Sequence, residues 1–257
     1  MHSTGADTFL PHKQTNALTA RQERRLRNYL EEQFLELTRG YKTRSEPASS
    51  VPTLQSYLDS AQQILAMILR IPPVDPSTSL RTAFLLRFTN DVLSSVSGYS
   101  IDSTAIPILY DWLDDLDQAW LMVLQTKVWD PENGPIDLVL AAEAAAAATK
   151  SSPLTQTERT RLRSLLLGGT ETLEEWLATV GTRPALDSIR EEDEEDAGPL
   201  YDVRDMLEGL GLENEFDQLF WRTLRELGLG GQENLPIVVP EIQLEDEDDS
   251  DMMEVVI

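Results

Sequence analysis

Four aspartates, Asp111, Asp114, Asp115 and Asp117, stand beside Trp112 and Trp120 in the stretch YDWLDDLDQAWLMVLQ. Carboxylates one helical turn apart, such as Asp111 and Asp115, can hold a hard cation or act as an acid–base pair when burial shifts one pKa. A cation site needs further oxygen ligands, and neither a glycine-bearing calcium loop nor an adjoining histidine accompanies these four. On a helix, Leu109, Trp112, Leu113, Leu116, Ala119, Trp120, Val123 and Leu124 share one broad face. Asp111, Asp114 and Asp115 fall outside that face, and Asp117 sits at its margin. The stretch therefore reads as an amphipathic helix with tryptophan anchors in the core and a solvated acidic edge.

Other chemistries have fewer residues to draw on. Both histidines, His2 and His12, lie in an N-terminal leader, so a histidine triad or zinc site in the folded body is not expected. The absence of cysteine excludes disulfides, thiolate metal sites and a cysteine nucleophile. LLLGGTETL and LGLGGQEN lack the lysine and the spacing of a phosphate loop. No catalytic residue, metal or cofactor is expected, and the chain reads as non-enzymatic. An enzyme working through carboxylates alone is the alternative of last resort.

Two stretches suit recognition instead. Arg21, Arg24 and Arg25 share a helix face, near Arg27, Arg39, Lys42 and Arg44. They could meet phosphate or an acidic partner, although no aromatic residues are interleaved for base stacking; a solvated face that offsets the acidic C-terminus is the plainer reading. Near the C-terminus, Ile237, Val238, Val239, Ile242 and Leu244 precede an acidic run that includes Asp246, Asp248 and Asp249. A β-branched run beside acids resembles a SUMO-interacting motif, in which an extended segment adds a strand to a sheet edge and the acids meet a basic rim. The expected partners are other proteins, among them SUMO or a similar basic-grooved protein.

Composition narrows the field further. The chain has 257 residues, 41% of them hydrophobic, and a net charge of −24. Residues 187–257 hold 23 acidic and 4 basic residues, so most of the charge sits in the C-terminal portion. Such acidity repels phosphate backbones and anionic lipid, so direct nucleic-acid or membrane binding is not expected. No apolar run reaches the roughly 18–20 residues that span a bilayer. MHSTGADTFLPHKQT lacks the basic-then-apolar pattern of a signal peptide, which points to an intracellular protein.

The elements that would position these residues are all helical. Thr19 and Gln22 form a capping box before Leu26, Leu30, Phe34 and Leu37, with Gly40 as the stop. A linker through Pro47 and Pro52 leads to a helix over 53–69, buried through Leu54, Tyr57, Leu58, Ala61, Ile64, Leu65 and Ile68. A third helix, 79–96, carries Leu80, Phe84, Phe88 and Val92. The aspartate helix follows and ends before Asp130-Pro131. Helices over 136–149, 155–167 and 170–180 come next, the last two separated by Gly168-Gly169. No segment alternates with a period of two. The expected fold is all-α, an irregular bundle or array of about seven helices. The divisions are a disordered leader (1–17), a helical core domain (18–182), an acidic linker (183–199), a tethered helical pair (200–230) and a disordered acidic tail (231–257).

RSEPAS, PTLQSYLDSAQ, IPPVDPSTSLRTAFLLRFTNDVLSS and DWLDDLDQAW are similar to segments of an all-α protein family of filamentous ascomycete fungi. Some members of that family carry the label meiotic recombination protein. The resemblance spans 18–131 and transfers no active-site residues. It implies a nuclear protein linked to chromosome or recombination processes, without the ATP-binding loop of a strand-exchange recombinase. Taken with the residues, the expectation is a helical adaptor or scaffold that binds other proteins, or else a constitutive subunit of a larger complex.

Overall fold

The computed structural model describes residues 16–100, 105–130, 134–136, 154–181, 216 and 218–228. The fold is all-α, with six helices among the described residues: α1 (Ala20–Lys42), α2 (Leu54–Leu69), α3 (Ser77–Val96), α4 (Ala105–Leu124), α5 (Gln156–Gly181) and α6 (Trp221–Glu226). Local chemistry explains the starts. Thr19 Oγ1 accepts the Gln22 N–H at 3.3 Å while Gln22 Oε1 accepts the Thr19 N–H at 2.9 Å, so two free amides of α1 are satisfied reciprocally. Thr53 with Ser56, and Thr155 with Glu158, repeat the device before α2 and α5. The expected leader over 1–17, apart from residues 16 and 17 before the α1 cap, and the expected helix over 136–149, apart from Ile136, lie outside the described residues.

Periodicity also chose the buried faces. Every predicted α2 position, from Leu54 to Ile68, is buried, as are Leu30, Phe34 and Leu37 of α1 and Leu80, Phe84, Phe88 and Val92 of α3. Aromatic side chains join the helices: Phe34 stacks on Phe84 at 5.9 Å and meets Phe88 edge-on at 6.1 Å, and Phe88 lies 5.9 Å from Trp112. Trp120 is wholly buried and donates its indole N–H to Thr89 Oγ1 at 2.9 Å, tying α4 to α3. A second cluster, Tyr41, Tyr57 and Tyr99, closes the other end, where the Tyr99 hydroxyl donates to the Val51 carbonyl at 3.1 Å. Val51 of the expected linker is thus part of the core, while most of residues 43–53 are exposed.

Glycine accounts for two departures from expectation. Gly40 does not stop α1 but lies inside its last turn, where a Cβ would come within 2.7 Å of Ser50 Oγ and 2.8 Å of Val51 Cγ2. Gly168 and Gly169 do not separate two helices; α5 runs continuously through them. Thr170, the first residue of the helix expected over 170–180, instead donates its hydroxyl to the Leu166 carbonyl at 3.0 Å inside α5. A Cβ on Gly169 would lie 2.5 Å from Leu93 Cδ1 of α3, whereas one on Gly168 would meet nothing within 4 Å. Close helix packing therefore explains Gly169 and leaves Gly168 as a bare helix-interior glycine. Gly168→Ala should raise stability by about 0.5–1 kcal/mol through helix propensity, and Gly169→Ala should lower it by about 1–3 kcal/mol through overpacking. Urea melts of the two variants that move in the same direction would contradict this assignment.

The end of α4 is the other departure. The helix stops at Leu124, several residues earlier than expected, in a Schellman arrangement: the Lys127 N–H bonds to the Met122 carbonyl at 2.9 Å and the Thr126 N–H to the Val123 carbonyl at 3.2 Å. Thr126 takes the left-handed conformation, φ 57°, that glycine or asparagine usually occupies. The chain then forms a short antiparallel pair, β1 (Val128–Asp130) with β2 (Gly134–Ile136), in which Val128 faces Ile136 and Asp130 faces Gly134. Ile136 is thus the end of a strand and not the start of a helix. Three-residue strands are too short to show a period of two.

Candidate functional site

The polar edge of α4 divides as the helical wheel implies, with one exception. Asp111, Asp114 and Asp115 are exposed, but Asp117 is only 2% exposed. The cover is the segment around α6. Phe216 meets Tyr110 edge-on at 5.9 Å, and Phe220 is buried at 1% exposure with its backbone in the left-handed region, φ 57°. Leu219, Leu224 and Leu227 pack against the same core. Phe216, Leu219, Phe220, Leu224 and Leu227 therefore pack on the core that their segment was expected to stand away from. Within the expected helical pair at 200–230, the described part holds a turn at 218–220 followed by a six-residue α6.

Asp117 caps α6 from a different helix. Phe220, at the N-cap, has no side-chain oxygen to offer the free amides. Asp117 Oδ1 accepts the Thr223 N–H at 3.0 Å, and the Asp117 carbonyl accepts the Thr223 hydroxyl at 3.1 Å. Arg222 Nη1 lies 2.6 Å from Asp114 Oδ1 and 3.5 Å from Asp117 Oδ2. Burial is the largest influence on the Asp117 carboxyl and raises its pKa above the ordinary value; the Thr223 hydrogen bonds and the Arg222 charge pull the other way and are outweighed. Burial likewise raises Asp115, aided by Asp114 and Asp111, while the Gln62 amide, which donates to Asp115 Oδ2 at 2.9 Å, opposes it. Both perturbed carboxyls are thus tied to a neighbouring element, Asp115 to α2 and Asp117 to α6.

Asp117→Ala should cost about 1–3 kcal/mol, because the buried Thr223 N–H loses its acceptor. Asp117→Asn keeps an acceptor and removes the charge, so it should stay within about 1 kcal/mol of the parent near neutral pH. A folded carboxyl with a raised pKa holds its proton more tightly than the unfolded chain does. Its contribution to stability is full below the ordinary carboxylate range and declines as pH rises through the raised folded value. Urea midpoints for parent and Asn variant, followed from about pH 3 to 7, should diverge in favour of Asn as pH rises. Divergence in the opposite sense would mean that the Arg222 pairing dominates.

Between α4 and residues 218–222 lies a cleft of about 520 Å³, rimmed by Asp111, Asp114 and Asp115 and floored by Leu113 and Leu219. Trp221 and Arg222 also line it; Trp221 is 43% exposed, with the Arg222 and Arg225 guanidinium carbons 5.9 and 6.0 Å from its ring centre. Carboxylates beside an exposed indole suit a cationic or amphipathic side chain from a partner. Among the described residues no group of three or more His, Asp or Glu is arranged to hold a metal ion.

Of the other expected site residues, Arg21, Arg24 and Arg25 are exposed on α1. Ile237, Val238, Val239, Ile242, Leu244, Asp246, Asp248 and Asp249 lie outside the described residues. Two residues were not anticipated, Thr223 and Arg81, and Asp117, placed at the margin of the dry face, is buried. The Arg81 guanidinium is 1% exposed, donates from Nη1 to the Lys127 carbonyl at 2.9 Å, and has no partner at Nε or Nη2; burial lowers its pKa to about 10. The available signal was position, since Arg81 lies on the stripe continued by Leu85, Phe88 and Val92. No described helix is long and apolar enough to cross a membrane. No family model matches the chain, and neither the search of curated proteins nor that of solved structures finds a match.

Proposed function

We propose that the protein is a non-enzymatic helical adaptor that binds other proteins, and that one contact surface is the ridge formed by α4 and α6. The observation that carries this reading is Trp221, 43% exposed beside an acid-rimmed cleft. Tryptophan flanked by arginine is the composition enriched at interface hot spots, and an exposed indole gains free energy when a partner covers it. The fitting partner presents basic and apolar side chains together. Ile237, Val238, Val239, Ile242 and Leu244, followed by Asp246, Asp248 and Asp249, supply a second contact for SUMO or a similar basic-grooved protein. A nuclear setting and a link to chromosome or recombination processes rest on the family resemblance over 18–131.

The test is recovery of partners with the tagged full chain from its source cells, compared with Trp221→Ser and with Ile237→Ala/Val239→Ala. Trp221→Ser should reduce recovery of a specific partner roughly tenfold or more while leaving the circular dichroism melt unchanged. Recovery indifferent to both variants would reject the adaptor reading at these surfaces. The constitutive-subunit reading has its own support in Tyr29, Leu35 and Leu167, each nearly half exposed. It requires a fixed stoichiometry that survives high salt.

A further inference from the structure

Arg21, Arg24, Arg25 and Arg27 are exposed on the first two turns of α1, and none of them enters an ion pair among the described residues. Other arginines are engaged: Arg87 with Glu31 and Asp91, Arg222 with Asp114, and Arg44 with the Gly98 carbonyl and the Tyr41 ring. The unpaired cluster breaks two local rules. Arg21 and Arg25 are like charges one turn apart, which repel on a helix surface. All four also sit near the helix N-terminus, where the macrodipole favours anions, and Glu23 is the only acid in the first turn. Local rules broken without a visible compensating gain point to a contact made elsewhere.

We propose that this face is a docking site for the chain's own acidic segment Glu245–Asp251. Six of its seven residues are acidic, which matches the cluster in sign and in density. The described chain ends at Gly228, and the 16 residues 229–244 can span up to roughly 55 Å. α1 itself, at 23 residues, is only about 34 Å long, shorter than the full span of that tether. Tethering at this length holds the acids near the arginines at an effective concentration of order millimolar, enough for a contact between exposed charges that a free peptide would barely make. The docked segment neutralises part of the repulsion on α1. It also sets a competition: a basic-grooved protein that takes these acids uncovers the arginine face, and an anionic partner of α1 must displace the tail. This proposal is independent of the reading of Trp221.

The chain contains no cysteine, so Ser250→Cys gives one attachment point for a nitroxide in the full-length protein. In low salt, about 20 mM, paramagnetic broadening should concentrate on the amides of residues 21–28. It should fall roughly threefold or more near 500 mM salt, where the Debye length shrinks to about 4 Å. Arg21→Ser/Arg24→Ser/Arg25→Ser should abolish it, as should replacing the acids of 245–251 by Asn and Gln. The substituted arginines are exposed, so a matching circular dichroism melt verifies the fold of that variant. Broadening that is uniform, absent, or indifferent to either set of substitutions would overturn the proposal. So would equal broadening in a mixture of spin-labelled and isotope-labelled chains, which would assign the contact to a second copy.

Discussion

Trp120→Ala should cost about 3–5 kcal/mol, the range for deleting a fully buried aromatic side chain. Three observations stand behind that magnitude. Trp120 is 0% exposed, it lies in the core shared by α3 and α4, and its indole N–H has a buried acceptor in Thr89. The Thr89 hydroxyl already donates to the Leu85 carbonyl at 2.8 Å, so it keeps one bond when the indole is removed, and the cavity dominates the loss. The informative control is Asp111→Asn with Asp115→Asn, which should shift stability by less than about 1 kcal/mol because both side chains are exposed. Chemical denaturation of both variants measures this. A harmless Trp120→Ala with a crippled aspartate pair would mean that the wet and dry faces of α4 had been interchanged.

Phe220→Ala should cost about 3–5 kcal/mol as well, although Phe220 lies a hundred residues from the helix it supports. Its ring is buried, and its left-handed backbone is held there by packing, since a non-glycine residue gains nothing locally from that conformation. The substitution should release the docked segment as a unit. The Thr223 amide, buried against Asp117, should then exchange with solvent far faster than the amides of α2 and α3. A chain ending at Pro184 should show the larger version of the same effect: it uncovers the flank of α4 and leaves Asp117 without its amide donor. Cooperative, undiminished melting of that shortened chain would show that this segment is dispensable to the core, as expected of a helical pair tethered by an acidic linker over 183–199.

What could be read in advance was local. The capping box at Thr19 acts between residues three apart, and the apolar stripes of α1, α2 and α3 repeat at spacings of three and four. Backbone geometry converts such patterns into a buried face whatever the rest of the chain does. The same rules misjudged the glycines. Gly40 and Gly169 resemble helix stops in isolation, yet each is small because another segment presses against it: Val51 in one case, Leu93 in the other. Thr126 at a left-handed helix end carries none of the usual glycine signal, so the true end of α4 passed unnoticed.

The sequence by itself determined the fold class, the start of most of the described helices and the side of α4 that is dry. Tertiary structure decided which charges remain on the surface. Asp117 is an edge residue by periodicity and becomes buried only because Thr223, 106 positions later, brings it an amide and a hydroxyl. Arg81 enters the interior only because the end of α4 turns to offer the Lys127 carbonyl. Trp221 stays in solvent because its neighbours Phe220 and Thr223 occupy the core side of the segment. Contacts of this kind join residues whose separation along the chain carries no periodic signal, and their energies are settled by desolvation at the meeting surface.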